Sequence, residues 1–211
     1  NINPSFLDLI KNFKVLRFQE CLGATSYKEG YSNDETNPVF PYYIRQINFD
    51  ERITPGWYWQ NGRRGMALDY VIEICNQGKI NPWVSLPYCA SKQFCSEAAK
   101  LFMQKLDPSL TVYFELGYNI TFWTSANGDF GGRNNGFDYM TAVQKMMFPA
   151  TQSGVGTGKY LNELFSAMGE GAGPGNAGLR MKRVVSSWFD YYDVNNRQLQ
   201  NINPDNWEVM S

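Results

Sequence analysis

Apolar residues recur at Phe6, Leu9, Ile10 and Phe13 in FLDLIKNFKVLRF. That spacing marks one face of a helix, and the run from Lys14 to Phe18 then predicts a short strand. The pattern lapses over residues 23–64, a long irregular insertion rich in Gly, Asn, Pro and Tyr. A compact domain rarely carries a loop of that length without a use for it. Periodicity returns in MALDYVIEICNQG, where Met66, Val71, Ile74 and Cys75 share a helical face and Gly78 is placed to cap the end. NPWVSLPY reads as a buried strand that stops at Pro87. Ser91 can cap the helix KQFCSEAAKLFMQKL, which Asp107-Pro108 terminates. LTVYFEL predicts the next strand. A second insertion, about 124–136, holds SANGDFGGRNNG and leads into a helix, GFDYMTAVQKMMF. GKYLNELFSAMG predicts another helix and gives way to a Gly-rich loop at 169–178. RMKRVVSSWF is a fourth strand, and NWEVM begins a fifth.

Strands alternating with helices mean parallel β/α construction within a single domain, 1–211. No GxGxxG or Walker sequence follows a strand. GVGTGK (154–159) lacks the GxxxxGK[ST] spacing, and no strand precedes it. A (β/α) TIM-type barrel fits the alternation better than a dinucleotide fold. Four or five strands do not close an eight-stranded barrel of about 250 residues, so the expected barrel is partial or degenerate.

Chemistry is narrowed mostly by what the chain lacks. It contains no histidine, which removes Ser-His-Asp and Cys-His catalysis and every imidazole-ligated metal site. Catalysis would have to rest on carboxylates, Tyr, Lys or Cys. A net charge of −1, from 19 basic and 20 acidic residues without a basic stripe, argues against nucleic acid as a partner. No apolar stretch approaches the roughly 20 residues of a membrane span. The chain opens on Asn1 rather than Met and has no signal segment, so it reads as a mature or excised piece.

None of the four cysteines, Cys21, Cys75, Cys89 and Cys95, has CxxC spacing. Cys89 and Cys95 are close enough for a local disulfide, with buried free thiols as the alternative. Asp129 and its Asn neighbours in SANGDFGGRNNG lack the acidic alternation of a calcium loop and read as a glycine-permitted turn. No metal or cofactor is expected. Asn119-Ile120-Thr121 is the only N-glycosylation sequon free of proline. Aromatics reach 16%, enough to fill a core and leave rings over for stacking on sugars.

KVLRF, GMALDYVIEICNQGKINPWVSLPY and LDPSLTVYFELGYN occur in this order over residues 6–123. This stretch resembles a family of secreted, glycoside-hydrolase-like barrels often described as cellulose-binding proteins or cellulases. The resemblance implies a (β/α)8 barrel with an acid/base Glu ending the fourth strand and a nucleophile Glu ending the seventh. Retaining hydrolysis needs those two carboxyls about 5 to 5.5 Å apart. Here the family's Ser-Asn-Glu falls on Gly117, Tyr118 and Asn119, its strand-end His on Tyr88, and its Met-Asp-Trp on Gln19, Glu20 and Cys21. No Asp or Glu occurs from Leu116 to Gly128, and an Asn cannot protonate a leaving alkoxide.

The candidate catalytic carboxylates are therefore Glu115 and Glu20, and Glu115 has an equally ordinary role as a buried partner of Arg17. The candidate carbohydrate contacts are Trp57, Trp59, Tyr88, Tyr118 and Trp123, with Asn119 as a glycosylation site. Together these describe a secreted, catalytically degenerate glycoprotein with a structural or carbohydrate-binding role. Its partners would be a polysaccharide or glycan and copies of itself, as in a filament or wall assembly, or the rest of a longer chain. The alternatives are an active retaining glycoside hydrolase seen in part and a lectin-like module.

Overall fold

The computed structural model describes residues 2–19, 21–24, 46–60, 64–117, 147–149, 152, 154–187 and 192–211. Glu20, Tyr118, Asn119, Trp123, the insertion at 124–136 and most of the helix expected before residue 148 lie outside the described residues.

The described strands are β1 (Val15–Phe18), β2 (Asn81–Leu86), β3 (Val112–Leu116), β4 (Met181–Val185) and β5 (Val209–Met210). They form one parallel sheet in chain order, β1-β2-β3-β4-β5. The described helices are α1 (Pro4–Ile10), α2 (Leu68–Gly78), α3 (Lys92–Lys105), α4 (Val155–Ala172) and α5 (Tyr192–Gln200). A mixed α/β fold with a parallel sheet is thus in place, as the alternation predicts. No described helix is long and apolar enough to cross a membrane.

Local signals set most helix ends. Asn3 accepts a hydrogen bond from the Ser5 N–H and Pro4 opens α1. Ser91 accepts from the Phe94 N–H at the start of α3, in the capping role its position suggests. The left-handed residue that ends α2 is Lys79, at φ 51°, and Gly78 stays helical. At the amino end, α1 stops at Ile10, so Leu9 and Phe13 stay largely exposed and only Ile10 joins the core.

Alternation along each strand sends one set of side chains toward the helices. Val84, Leu86, Val112, Phe114, Met181 and Val185 pack there with Phe94, Ala98, Phe102, Leu164, Phe165 and Met168. Arg183 is buried among these groups. Its guanidinium donates to Glu208, Asn206 and the carbonyls of Phe165 and Asp205, which ties β4, α4 and the approach to β5 together.

Helix α4 corrects two expectations. It begins at Val155 and runs to Ala172, so GVGTGK is its first turns and the Gly-rich loop starts only at Gly173. Its glycines are packing residues. A Cβ on Gly158 would lie 2.4 Å from the Gln198 carbonyl oxygen of α5, and one on Gly171 would lie 2.0 Å from the Ser96 carbonyl oxygen of α3. Helix α5, YDVNNRQLQ, buries Val194, Asn195 and Gln198; two of these three are polar, so apolar periodicity does not reveal the helix.

None of the four cysteines is in a disulfide, so the Cys89–Cys95 bond does not form. Burial pushes the Cys95 thiol far up and the Cys75 thiol to about 12, which makes both poor nucleophiles.

Two measurements follow from this packing. Gly171→Ala drives a methyl into the α3 backbone and lowers unfolding stability by about 1–3 kcal/mol. Gly56→Ala, with nothing within 4 Å of the added carbon, is neutral to about 1 kcal/mol stabilising in the same urea titration. A thiol-reactive dye labels exposed Cys21 in the native chain and all four cysteines only after denaturation.

Candidate functional site

The second face of the sheet is polar and aromatic. Register aligns Arg17, Trp83, Tyr113 and Lys182 in one row across β1 to β4. The next row toward the strands' carboxyl ends holds Ser85, Glu115 and Val184. Ser85 and Glu115 thus stand toward the carboxyl ends of the strands, where α/β proteins build their sites, and Trp83 and Tyr113 sit one row nearer the amino ends.

Glu115 is fully buried at the centre of this face. Its Oε2 accepts from Arg17 Nη2 at 2.8 Å, from the Trp83 indole N–H at 2.9 Å and from the Ser85 hydroxyl at 3.3 Å. Its Oε1 is buried and has no hydrogen-bond partner. The Arg17 guanidinium also lies 4.8 Å from the Trp83 ring centroid, a cation–π contact. Trp83 stacks on Tyr113 with centroids 6.0 Å apart and planes 24° from parallel. Arg17, Trp83 and Tyr113 keep part of their surface open to solvent. The site is therefore a saturated carboxylate oxygen, an unfilled one beside it, and a flat aromatic pair flanked by a cation.

This geometry separates the sequence candidates. Glu115 takes the buried ion pair with Arg17. Among the described residues no second carboxylate is bonded into its network, and no cluster of His, Cys, Asp and Glu is placed to hold a metal ion. Tyr88 is fully buried and offers no open ring face to a ligand. Trp57 and Trp59 are exposed, on the loop ahead of α2, together with Tyr58. Sequence reasoning missed Tyr113 as a site residue. Two positions before Glu115 on β3, it shares that residue's face, and the period of two could have found it.

The fold and site thus define a parallel α/β protein with a buried ion pair at its polar sheet face. Compared with known proteins, the chain matches no family model, no curated protein and no solved structure.

Removing one partner of a buried pair costs about 3–5 kcal/mol. The Arg17 side chain is 37% exposed, so Arg17→Met is expected to cost less, about 2 kcal/mol in urea unfolding. The double variant Arg17→Met/Glu115→Leu recovers part of that loss, since it leaves no charge buried.

Proposed function

We propose that the chain is a catalytically silent, secreted relative of glycoside-hydrolase-like barrels that binds carbohydrate on the polar face of its sheet. The observation that carries this reading is the half-open Trp83–Tyr113 stack beside Arg17 and Glu115. Aromatic faces meet the C–H faces of sugar rings, while Arg17, whose side chain is 37% exposed, can donate to their hydroxyls. By accepting from Arg17 and Trp83 through Oε2, the buried Glu115 carboxylate holds those two partly exposed partners in one orientation.

In this reading the parallel sheet in chain order belongs to a partial or degenerate TIM-type barrel, left open so that its inner, polar face can be reached. Asn119 replaces the acid of the resembled family and carries a glycan. Hydrolysis by a retaining mechanism needs a second, facing carboxyl, and the Glu115 network contains none among the described residues. The observation favouring the rival reading, an active glycosidase seen in part, is the unpartnered Oε1 of Glu115.

Calorimetric titration with cello-oligosaccharides and other soluble β-glucans tests the proposal. Binding without hydrolysis is expected, with Tyr113→Ala weakening it about 3- to 10-fold. Release of reducing sugar by the native chain but not by Glu115→Gln would establish the enzyme instead. Absence of binding to any glycan would leave a scaffold.

A further inference from the structure

Three consecutive aromatics project from the loop between the 3-10 turn at Phe49–Glu51 and α2. Trp57 is 48% exposed, Tyr58 90% and Trp59 67%. Large rings left in water on a loop are costly and mark a contact surface, provided the loop is held in shape. This one is held. The Trp57 N–H donates to the Thr54 carbonyl at 3.0 Å, closing a turn over Pro55 and Gly56. The Gln60 carboxamide then binds the loop from within. Its Nε2 donates to the carbonyls of Thr54 and Trp57, each at 2.9 Å, and its Oε1 accepts from the Ala67 N–H at 3.0 Å. Ala67 is the N-cap residue of α2, so one side chain fastens the base and crown of the loop to a core helix.

The rings themselves are set at angles. Tyr58 and Trp59 meet edge to face, with centroids 5.4 Å apart and planes at 86°. The Arg64 guanidinium lies 6.0 Å from the Trp57 ring centroid. The result is a corner of two aromatic walls on a loop whose backbone the Gln60 amide holds. Tyr and Trp give large contact area with few rotatable bonds, so a pre-shaped corner binds with little ordering cost.

We propose that residues 54–60 form a second carbohydrate-contacting surface, with Tyr58 and Trp59 as the stacking rings and Gln60 as the residue that positions them. The ligand class is a neutral pyranose chain. Aromatic walls suit the C–H faces of the sugar ring, and the Tyr58 hydroxyl suits its hydroxyls. The flanks, Thr54, Pro55, Gly56 and Gln60, carry none of the aliphatic side chains that would enter a lipid layer, and the neighbouring charge, Arg64, lies against the Trp57 ring. The inference shares the ligand class of the function proposed above but not its site.

The test is retention on an insoluble β-glucan together with titration of soluble oligosaccharides. It uses the 211-residue chain and its Trp59→Ala, Tyr58→Ala, Gln60→Ala and Tyr113→Ala variants. Trp59→Ala is expected to weaken binding about tenfold, which corresponds to about 1.4 kcal/mol. Gln60→Ala is expected to weaken it about threefold and to change the near-ultraviolet dichroism of the loop aromatics, with the unfolding midpoint little moved. Gln60→Glu, which keeps an acceptor but loses both donors, should behave like Gln60→Ala.

Binding that survives Trp59→Ala and Tyr58→Ala but falls with Tyr113→Ala overturns the loop and leaves the sheet face standing. The opposite result supports the loop and removes the sheet face. No glycan binding by the native chain overturns both.

Discussion

A carboxylate taken out of water must be neutralised where it lies, and in this chain that constraint falls on Glu115. Arg17 reaches it from β1, Trp83 and Ser85 from β2, while Glu115 itself belongs to β3. Three parallel strands are thereby joined by side chains as well as by their backbone ladders. The strand register follows from the same need. A slip of one residue would turn Glu115 toward Phe102 and Leu164 and bring Phe114 to the polar face. Burial of the charge therefore specifies register more sharply than the apolar face does, because apolar partners exchange at small cost and an unpaired carboxylate does not.

The other side of the sheet obeys a different rule, closeness rather than charge. Helix α4 crosses between α3 and α5 and meets backbone through Gly158 and Gly171. Gly171 faces only the Ser96 backbone, and Gly158 faces the Gln198 carbonyl with the Asn201 Cβ beside it. The apolar residues between them, Leu161, Leu164, Phe165 and Met168, can then fill the core against the sheet. With Arg183 anchored to Phe165, Asp205, Asn206 and Glu208, the carboxyl half of the described chain is held by polar bonds threaded through an apolar layer.

Much of this was legible in the order of residues, and the exceptions have physical causes. The strands β1 to β4 and helices α2 and α3 announce themselves because apolar periodicity, Ser91 and Asp107-Pro108 agree locally. Helix α5 does not, since Asn195 and Gln198 are buried where Leu or Val would have given a stripe. The Gly-rich end of α4 suggests a loop by composition, whereas Gly158 and Gly171 serve proximity to carbonyls about 40 and 75 residues away in sequence, a relation that propensity does not encode. At the site, the pairing of Glu115 with Arg17 is readable from charge and strand position. Its bond to the Trp83 indole and the stacking of Tyr113 depend on register. Burial of Tyr88 has the same kind of origin, because the Tyr88 N–H is fixed to the Ala24 carbonyl in a loop whose path the sequence leaves open.

The two contacts of α4 also bear on how the fold can change over generations. A helix separated from its neighbours by side chains can exchange one residue for another and shift by a fraction of an ångström. At Gly158 and Gly171 that freedom is missing, and any larger residue must push the Gln198 or Ser96 carbonyl away. Variation in α3 and α5 at these crossings is then limited to side chains that leave the carbonyls in place. Descendants of this chain would diversify in their loops and on their outer helix faces while keeping two small, chemically featureless positions, which carry the memory of the fold without taking any part in its chemistry.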